Sequence, residues 1–497
     1  MSTSALLAPP RTWSQKLLWL LGCGLFFVLV YFGHRSASRP VEVESPVDQA
    51  VRDADAASPG WQHDDLEAAR EAVPDDENSA PLIQRASARL PPNWYPQLRS
   101  GYYSSRPHAL SAGERAMLAE DLNGCGPALA EALRLADRPR GRHPFVPGDR
   151  PRAPLLPHID QVTRVTTLLR LETIRRTEAG DRDGAARACV AALNAARSLG
   201  DEPNLVSQLT RKFHDAGAAC RSVQFLVNHA EVDAATLSDL QRRLEEEQRH
   251  PGFLIGMRGY RAELHLLLEA VADGKVPLQS VVPASESPAD LLWHPPPSVE
   301  EVRLRHAELL PVLTHVVGVA REPPPRRAAL LHDLVSEMDP ESFRLLGPLV
   351  RDLPTYERQF TTPEATVLCT IAALAAERYR RDHGEWPDSL EALAPDYLDA
   401  VPADPADGRP LRYQRFAEGV VVYSLCRDRL GTQYDPNGPE TMRGVWVRLW
   451  DASERGRPSP EPPPDWPRPP GRPGRPGGPP GPMGLPIGRP IPLGPRP

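Results

Sequence analysis

The sequence lacks most of the signatures from which a chemistry is usually read. It has no HExxH, no phosphate-binding P-loop, no GxGxxG ahead of a helix and no GxSxG. Cysteine is scarce. One of the six, Cys23, sits inside an apolar run near the N-terminus, and Cys125, Cys189, Cys220, Cys369 and Cys426 are far apart with no CxxC. That odd, dispersed set excludes a disulfide framework and a structural zinc site as organising devices, so buried thiols are the expected role. A bridge between Cys369 and Cys426 stays open as the alternative for that pair. Charge of one sign is also missing. A net charge of -7 over 497 residues leaves no electrostatic footprint for nucleic acid. The apolar fraction of 40% is low and the 59 prolines are many, so a core can be built only in parts of the chain. Nothing indicates a cofactor, a metal or a small-molecule ligand. His214 and Cys220 are six residues apart and fall on different helix faces. The run from Asp181 to Gly184 reads as a hairpin turn, and Glu385 and Asp388 read as turn and cap residues.

What is present begins at the N-terminus. Residues 17–32 read LLWLLGCGLFFVLVYF without a charge. At 1.5 Å per residue this run covers about 25 Å, enough to span a thin bilayer core. Trp19 and Tyr31 suit the two interfaces. A cleavable signal ending near Ser36-Ala37-Ser38 would need a shorter apolar core, and only six apolar residues precede Cys23, too few for a lipoprotein signal. The expectation is a retained single-pass helix over residues 17–33 after a short arm of residues 1–16. Arg11 and Lys16 on one side balance Arg35 and Arg39 on the other. The common arrangement, with the bulk of the chain outside the cytoplasm, is therefore taken as the working orientation.

Residues 34–110 are polar, acidic and proline-rich, with short helical stretches near 64–72 and 82–90 at most. They read as a linker. Residues 111–353 carry helical periodicity throughout. Ser111 and Glu114 form a capping box. Residues 162–177 and 184–199 pair as an antiparallel hairpin around Gly180 and Asp181, with Ala185, Cys189 and Ala192 on the packing face. Further helices are expected over 204–230, around Leu237, Leu240 and Leu244, over 254–272 and over 299–319, with breaks at the prolines 295–297 and 323–325.

Residues 361–450 change character. Thr362 and Pro363 open a helix in the favoured cap-then-proline order, and Gly384 ends it. Asp388 and Glu391 suit a short capped helix limited by Pro395. Alternating residues then give three strands, at 411–415, 420–425 and 445–449. The expected fold is mainly α: a transmembrane helix, an antiparallel helical-hairpin domain, then a small α+β unit with a three-stranded antiparallel sheet. The run RYRRDHGEWPDSLEALAPDYLDAVPADPADGRPLRYQRFAEGVVVYSL resembles the soluble part of type II secretion major pseudopilins. Gly384, Trp386, Pro387, Leu390, Tyr397, Pro402, Asp404, Pro405, Gly408, Tyr413 and Tyr423 carry that likeness over about 65 residues. The resemblance implies a long helix packed on a small sheet, and a calcium loop near Asp428, Asp435 and Asn437. Two features depart from the family. The prepilin processing site is absent, and about 330 residues separate the unit from the N-terminal apolar helix. Arg427 and Arg429 beside Asp428 also disfavour a cation. The chain as a whole, with LLRLETIRRTEAGDRDGAARACVAALNAARSLGDEPNLVSQL at its centre, is similar to uncharacterised bacterial membrane-anchored proteins. That likeness implies architecture only.

Residues 451–497 form a cationic, polyproline-like tail. The function expected from these features is a non-catalytic envelope scaffold or binding protein. It would be attached to the membrane by its first helix, with protein partners engaged through the helical domain. An accessory role in a type II secretion-like apparatus and an envelope hydrolase with an unrecognised site are the alternatives.

Overall fold

A computed structural model describes residues 45–94, 96, 107–144, 156–277, 298–338, 349–427 and 444–458. The apolar run at 17–33, the tail after residue 458 and the loop holding Asp428, Asp435 and Asn437 lie outside the described residues. No helix among the described residues is long and apolar enough to cross a membrane.

The segment expected to be a linker is folded where it is described. Ser45 accepts a hydrogen bond from the Val47 amide and Pro46 takes the first turn of α1 (Pro46–Ala57). Val47, Ala50 and Ala54 fall on one face and are buried. Ala50, Ala54 and fully buried Trp61 form a small core with Leu310. α2 (His63–Ala68) and α3 (Ala80–Ala88) follow, and Leu82, Ile83 and Ala86 enter a second core. The composition is polar because each short helix buries only one narrow stripe. Large residues such as Trp61, Ile83 and Trp94 are buried among them.

α4 (Ala112–Asp121) begins with the expected capping box. The Ser111 hydroxyl accepts from the Glu114 amide and the Glu114 carboxylate accepts from the Ser111 amide. Replacing Ser111 by alanine should lower stability by about 1 kcal/mol, measured as a shift of the urea midpoint at unchanged slope. An unchanged midpoint would mean that water replaces the cap without loss. After α5 (Gly126–Ala132), α6 (Pro157–Glu178) and α7 (Arg182–Arg197) form the expected hairpin. Gly180 takes a φ of 76°, and Asp181 caps α7 by accepting from the Gly184 amide. The alanine-rich face of α7 lets the two helices approach closely.

α8 (Leu205–His214) passes through a π-helical turn, Asp215–Cys220, into α9 (Arg221–His229). α10 (Ala234–Gln248), α11 (Gly252–Ala272), α12 (Val299–Val319) and α13 (Pro324–Glu337) complete the helical body.

The expected helix start at Thr362 is corrected. α14 (Leu353–His383) has its N-cap at Asp352, ten residues earlier, and carries Pro363 inside it. The buried stripe of Leu353, Glu357, Phe360, Thr361 and Ala365 continues through the proline, so packing offsets the one lost amide hydrogen bond. Gly384 ends the helix with a φ of 78°, as read. The short capped helix expected at Asp388 is instead a single 3-10 turn, Glu391–Leu393, and Asp388 pairs with exposed Arg415.

β1 (Arg412–Phe416), β2 (Gly419–Ser424) and β3 (Val445–Trp450) form the expected antiparallel sheet in the order β1-β2-β3. Val420, Val422, Val445, Val447 and Leu449 face α14. The same continuous core includes Cys189 and Leu193 of α7, Val223 of α9 and Leu237 and Leu240 of α10. The C-terminal unit therefore shares its core with the helical body, and α14 runs through the expected boundary at 353–361. The five described cysteines are buried free thiols, Cys369 and Cys426 included.

One side of β3 would present unpaired backbone groups. Asn228 of α9 covers it: its Nδ2 donates to the Arg448 carbonyl at 2.8 Å and its Oδ1 accepts from the Trp450 amide at 3.1 Å. Asn228→Ala should cost about 1–3 kcal/mol by removing the acceptor of the Trp450 amide, while Gln224 Nε2, at 3.4 Å, still donates to the Arg448 carbonyl. Chemical denaturation measures this, and a change below that range would show that the edge finds other partners.

Candidate functional site: a buried polar seam around residues 198–204

Among the described residues, a dense polar interior surrounds the loop joining α7 to α8. Loop residues 198–204 read SLGDEPN. Three glycines let other backbone segments close on this region. A Cβ on Gly141 would meet the Ser198 backbone at 2.6 Å, one on Gly200 would meet the Gly141 carbonyl at 2.5 Å, and one on Gly259 would lie 1.8 Å from the Pro203 carbonyl. Glycine at 259 is therefore required by the approach of α11 to the loop.

Side chains fix the loop from the other directions. His143 Nε2 lies 3.1 Å from the Ser198 hydroxyl, and its ring stacks on His158 at 4.7 Å. His158 Nε2 contacts Glu202 at 3.0 Å, and the Ser207 hydroxyl donates to the same carboxylate at 2.6 Å. Asn204 donates to Glu263 at 2.7 Å and accepts from the Ser207 amide. Gln208 donates to the carbonyls of Gly200 and Glu202, and Arg211 donates to that of Gly200 at 2.8 Å.

The seam continues through Arg211 to Glu247 at the end of α10. Glu247 contacts Arg197 at 3.0 Å and Arg211 at 2.7 Å, and Lys212 donates to its carbonyl at 3.1 Å. Glu247 and Lys212 are each only 1% exposed. These cations also meet the carbonyl-rich C-terminus of α10, where positive charge is favoured. His250 lies next to them, 2.9 Å from Gln208 Oε1.

Burial dominates the electrostatics. It pulls His143 down to about 3, with neighbouring His158 adding to the effect. It pulls His250 to about 3 as well, assisted by Arg211. Burial alone would raise Glu202, but the His158 hydrogen bond and charge bring it below the usual carboxylate range. Burial raises Glu263 to about 8 against the pull of Asn204. Opposed carboxylates and imidazoles make up an acid–base set in composition. Yet His143, His158, Ser198, Glu202 and Ser207 are all buried, and each is bonded to the loop or to a neighbour within the seam. The arrangement acts as a clamp.

No family model, curated protein or solved structure matches the chain. Its own geometry therefore carries the functional reading.

The residues singled out by the pseudopilin resemblance come together in the C-terminal unit, away from the seam. Asp404 is fully buried. It accepts from the Ser424 hydroxyl at 2.6 Å, the Ala406 amide at 2.9 Å and the Leu425 amide at 2.8 Å, and it pairs with Arg412. Pro405 is buried beside it, and Gly408 turns the chain with a φ of 74°. The Leu411 amide donates to the Pro402 carbonyl, and the Tyr413 hydroxyl donates to that of Pro387 at 2.8 Å. Trp386 is buried and its indole donates to Asp451, while Leu390 enters the core. Tyr397 donates to Asp382 at 2.7 Å, and Tyr423 stands opposite Trp446 in the sheet. Every one of these contacts holds the 384–424 segment in place. His214 bonds Thr163 and Thr166 on α6, at 3.0 and 3.1 Å. Among the described residues no group of three or more metal-ligating side chains is gathered.

Sequence reasoning missed the seam. Its loop carries a Gly-Asp-Glu-Pro signal legible as a turn, but the polar types of Ser207, Gln208, Arg211 and Lys212 give no sign that they are buried.

Proposed function

We propose that the chain is a single-pass, membrane-anchored envelope protein whose folded body serves as a non-catalytic scaffold for protein partners. The observation that carries this reading is the use made of the buried polar groups. The acid–base set around residues 198–204 and the Asp404 loop are both engaged in holding backbone, and neither is turned toward solvent. The apolar run at 17–33 supplies the anchor, and the helical body supplies the binding surface outside the cytoplasm.

The pseudopilin-like unit is, on this reading, a folding element of the body. Its helix, α14, is packed between the sheet and α10 and shares a core with α7 and α9. A pilin-type filament needs its long helix available to other subunits, and this one is already covered. The test is digestion of a C-terminal epitope by added protease in intact spheroplasts, followed by affinity purification from detergent extract. The epitope should be cleaved, and envelope proteins should co-purify without secretion components. A protected epitope would place the body in the cytoplasm. Stoichiometric recovery of secretion components would replace the scaffold reading with an accessory role in that apparatus.

A further inference from the structure

α1 and α12 run side by side in the same direction. Ala50 and Ala54 share a core with Leu310, and Ser45 and Pro46 share an open cleft of about 550 Å³ with Ser298, Glu300, Arg303 and Leu304. Both helices therefore start at one end of the body, each with a serine cap: Ser45 accepts from the Val47 amide and Ser298 from the Glu301 amide. Among the described residues, the exposed large apolar side chains are Leu266, Val299 and Leu304. Val299, 50% exposed, and Leu304, 48% exposed, belong to this end. Leu266 follows His265, which meets His306 at 3.0 Å, so it lies near the level of Leu304 on the neighbouring helix. Glu300 and Arg303 are exposed beside them, and neither has an ion-pair partner among the described residues.

Apolar side chains scattered singly over a surface are ordinary, and it is their confinement to one end that calls for a partner. The chain itself says which partner lies nearest. The described chain begins at Ser45, twelve residues (45 − 33) after the apolar run at 17–33 ends. Twelve residues reach at most about 40 Å. An anchored body is thus held with this end close to the bilayer, at a high effective concentration, so a few apolar side chains suffice for contact. Valine and leucine gain by leaving water at the boundary between headgroups and acyl chains. Glu300 and Arg303 offer one unpaired charge of each sign, which matches the amine and the phosphate of a zwitterionic headgroup.

We propose that the end of the body formed by the starts of α1 and α12 is a lipid-contact surface, with Val299 and Leu304 seated in the interface of a zwitterionic phospholipid bilayer and Glu300 and Arg303 among its headgroups. The inference rests on the anchored reading given above and adds an orientation to it. The first turns of α12 point toward the membrane. Exposed His315, sixteen residues (315 − 299) further along the same helix, is held about 24 Å away from that contact.

The test uses the full chain in phosphatidylcholine nanodiscs, with a photoreactive benzoylphenylalanine in place of Leu304 or, in a second chain, of His315. Irradiation should give a phospholipid adduct at position 304, found by mass spectrometry, at a yield about tenfold above that at position 315. A third chain carries the probe at 304 together with Val299→Asp, a change at an exposed position outside the core. Its adduct yield should fall about tenfold as the apolar contact is lost. Equal yields at 304 and 315, adducts of 304 with protein alone, or a yield indifferent to Val299→Asp would each overturn the inference while the anchored reading stands. A chain that fails to co-elute with the nanodiscs would overturn both.

Discussion

Replacing Glu247 by glutamine is expected to cost about 3–5 kcal/mol of folding stability, the range for breaking a buried ion pair from one side. Arg197, Arg211 and Lys212 converge on this carboxylate from α7 and α8, and all three are buried. The amide keeps the shape but removes the only fully buried negative charge among them. Glu246, 3.6 Å from Arg197, is 41% exposed in its side chain and compensates weakly. Glu246→Gln therefore serves as the control, with an expected loss below about 1 kcal/mol. Urea unfolding at pH 7 measures both. Equal effects at the two positions would show that the charges of the seam are solvated and that the seam does not clamp the loop.

Acidification from pH 7 to pH 5 is expected to destabilise the folded body by several kcal/mol before most carboxylates titrate. His143 and His250 are held near 3 and His306 near 4, mainly by burial. An unfolded imidazole binds its proton around pH 6.5. As the pH falls, the unfolded chain takes up protons that the folded chain refuses. Stability is therefore fully present above about pH 6.5 and is lost progressively toward the folded values. Each of the three contributes about 2 kcal/mol of loss between pH 7 and pH 5. Glu263, raised to about 8, works in the opposite direction. It offsets about 2 kcal/mol of that loss, and the three imidazoles together still leave a net loss of several kcal/mol. His306→Gln, which can still hydrogen-bond to His265 across the 3.0 Å contact, should flatten the pH dependence by about 2 kcal/mol. A urea midpoint that does not move between the two pH values would mean that these imidazoles reach water in the folded protein.

The elements legible in the sequence were those whose signals are local. The Ser111–Glu114 box, the Gly180–Asp181 turn, the Gly384 stop and the period-two strands are each written within a few residues, and each is where it was expected. What was not legible depends on partners distant in sequence. Trp61 in a polar stretch gives no sign of the core it joins with Leu310. Pro363 follows Thr362 in the favoured start order, yet tertiary packing carries α14 through both. The seam was hidden for the same reason. Arg211 and Lys212 look like surface residues until Glu247, 36 and 35 residues further on, is seen to meet them. The likeness to pseudopilins marked residues that do assemble into one loop scaffold, but it gave no hint that their helix is shared with the rest of the body.

Anchoring is the property on which the proposed function stands, and alkaline carbonate extraction of membranes from cells making the full chain tests it. The chain should stay in the pellet, and deletion of residues 1–33 should move it to the supernatant. Release of the intact chain by carbonate, or a mature N-terminus beginning after Ser38, would contradict the anchored scaffold and leave a free secreted protein.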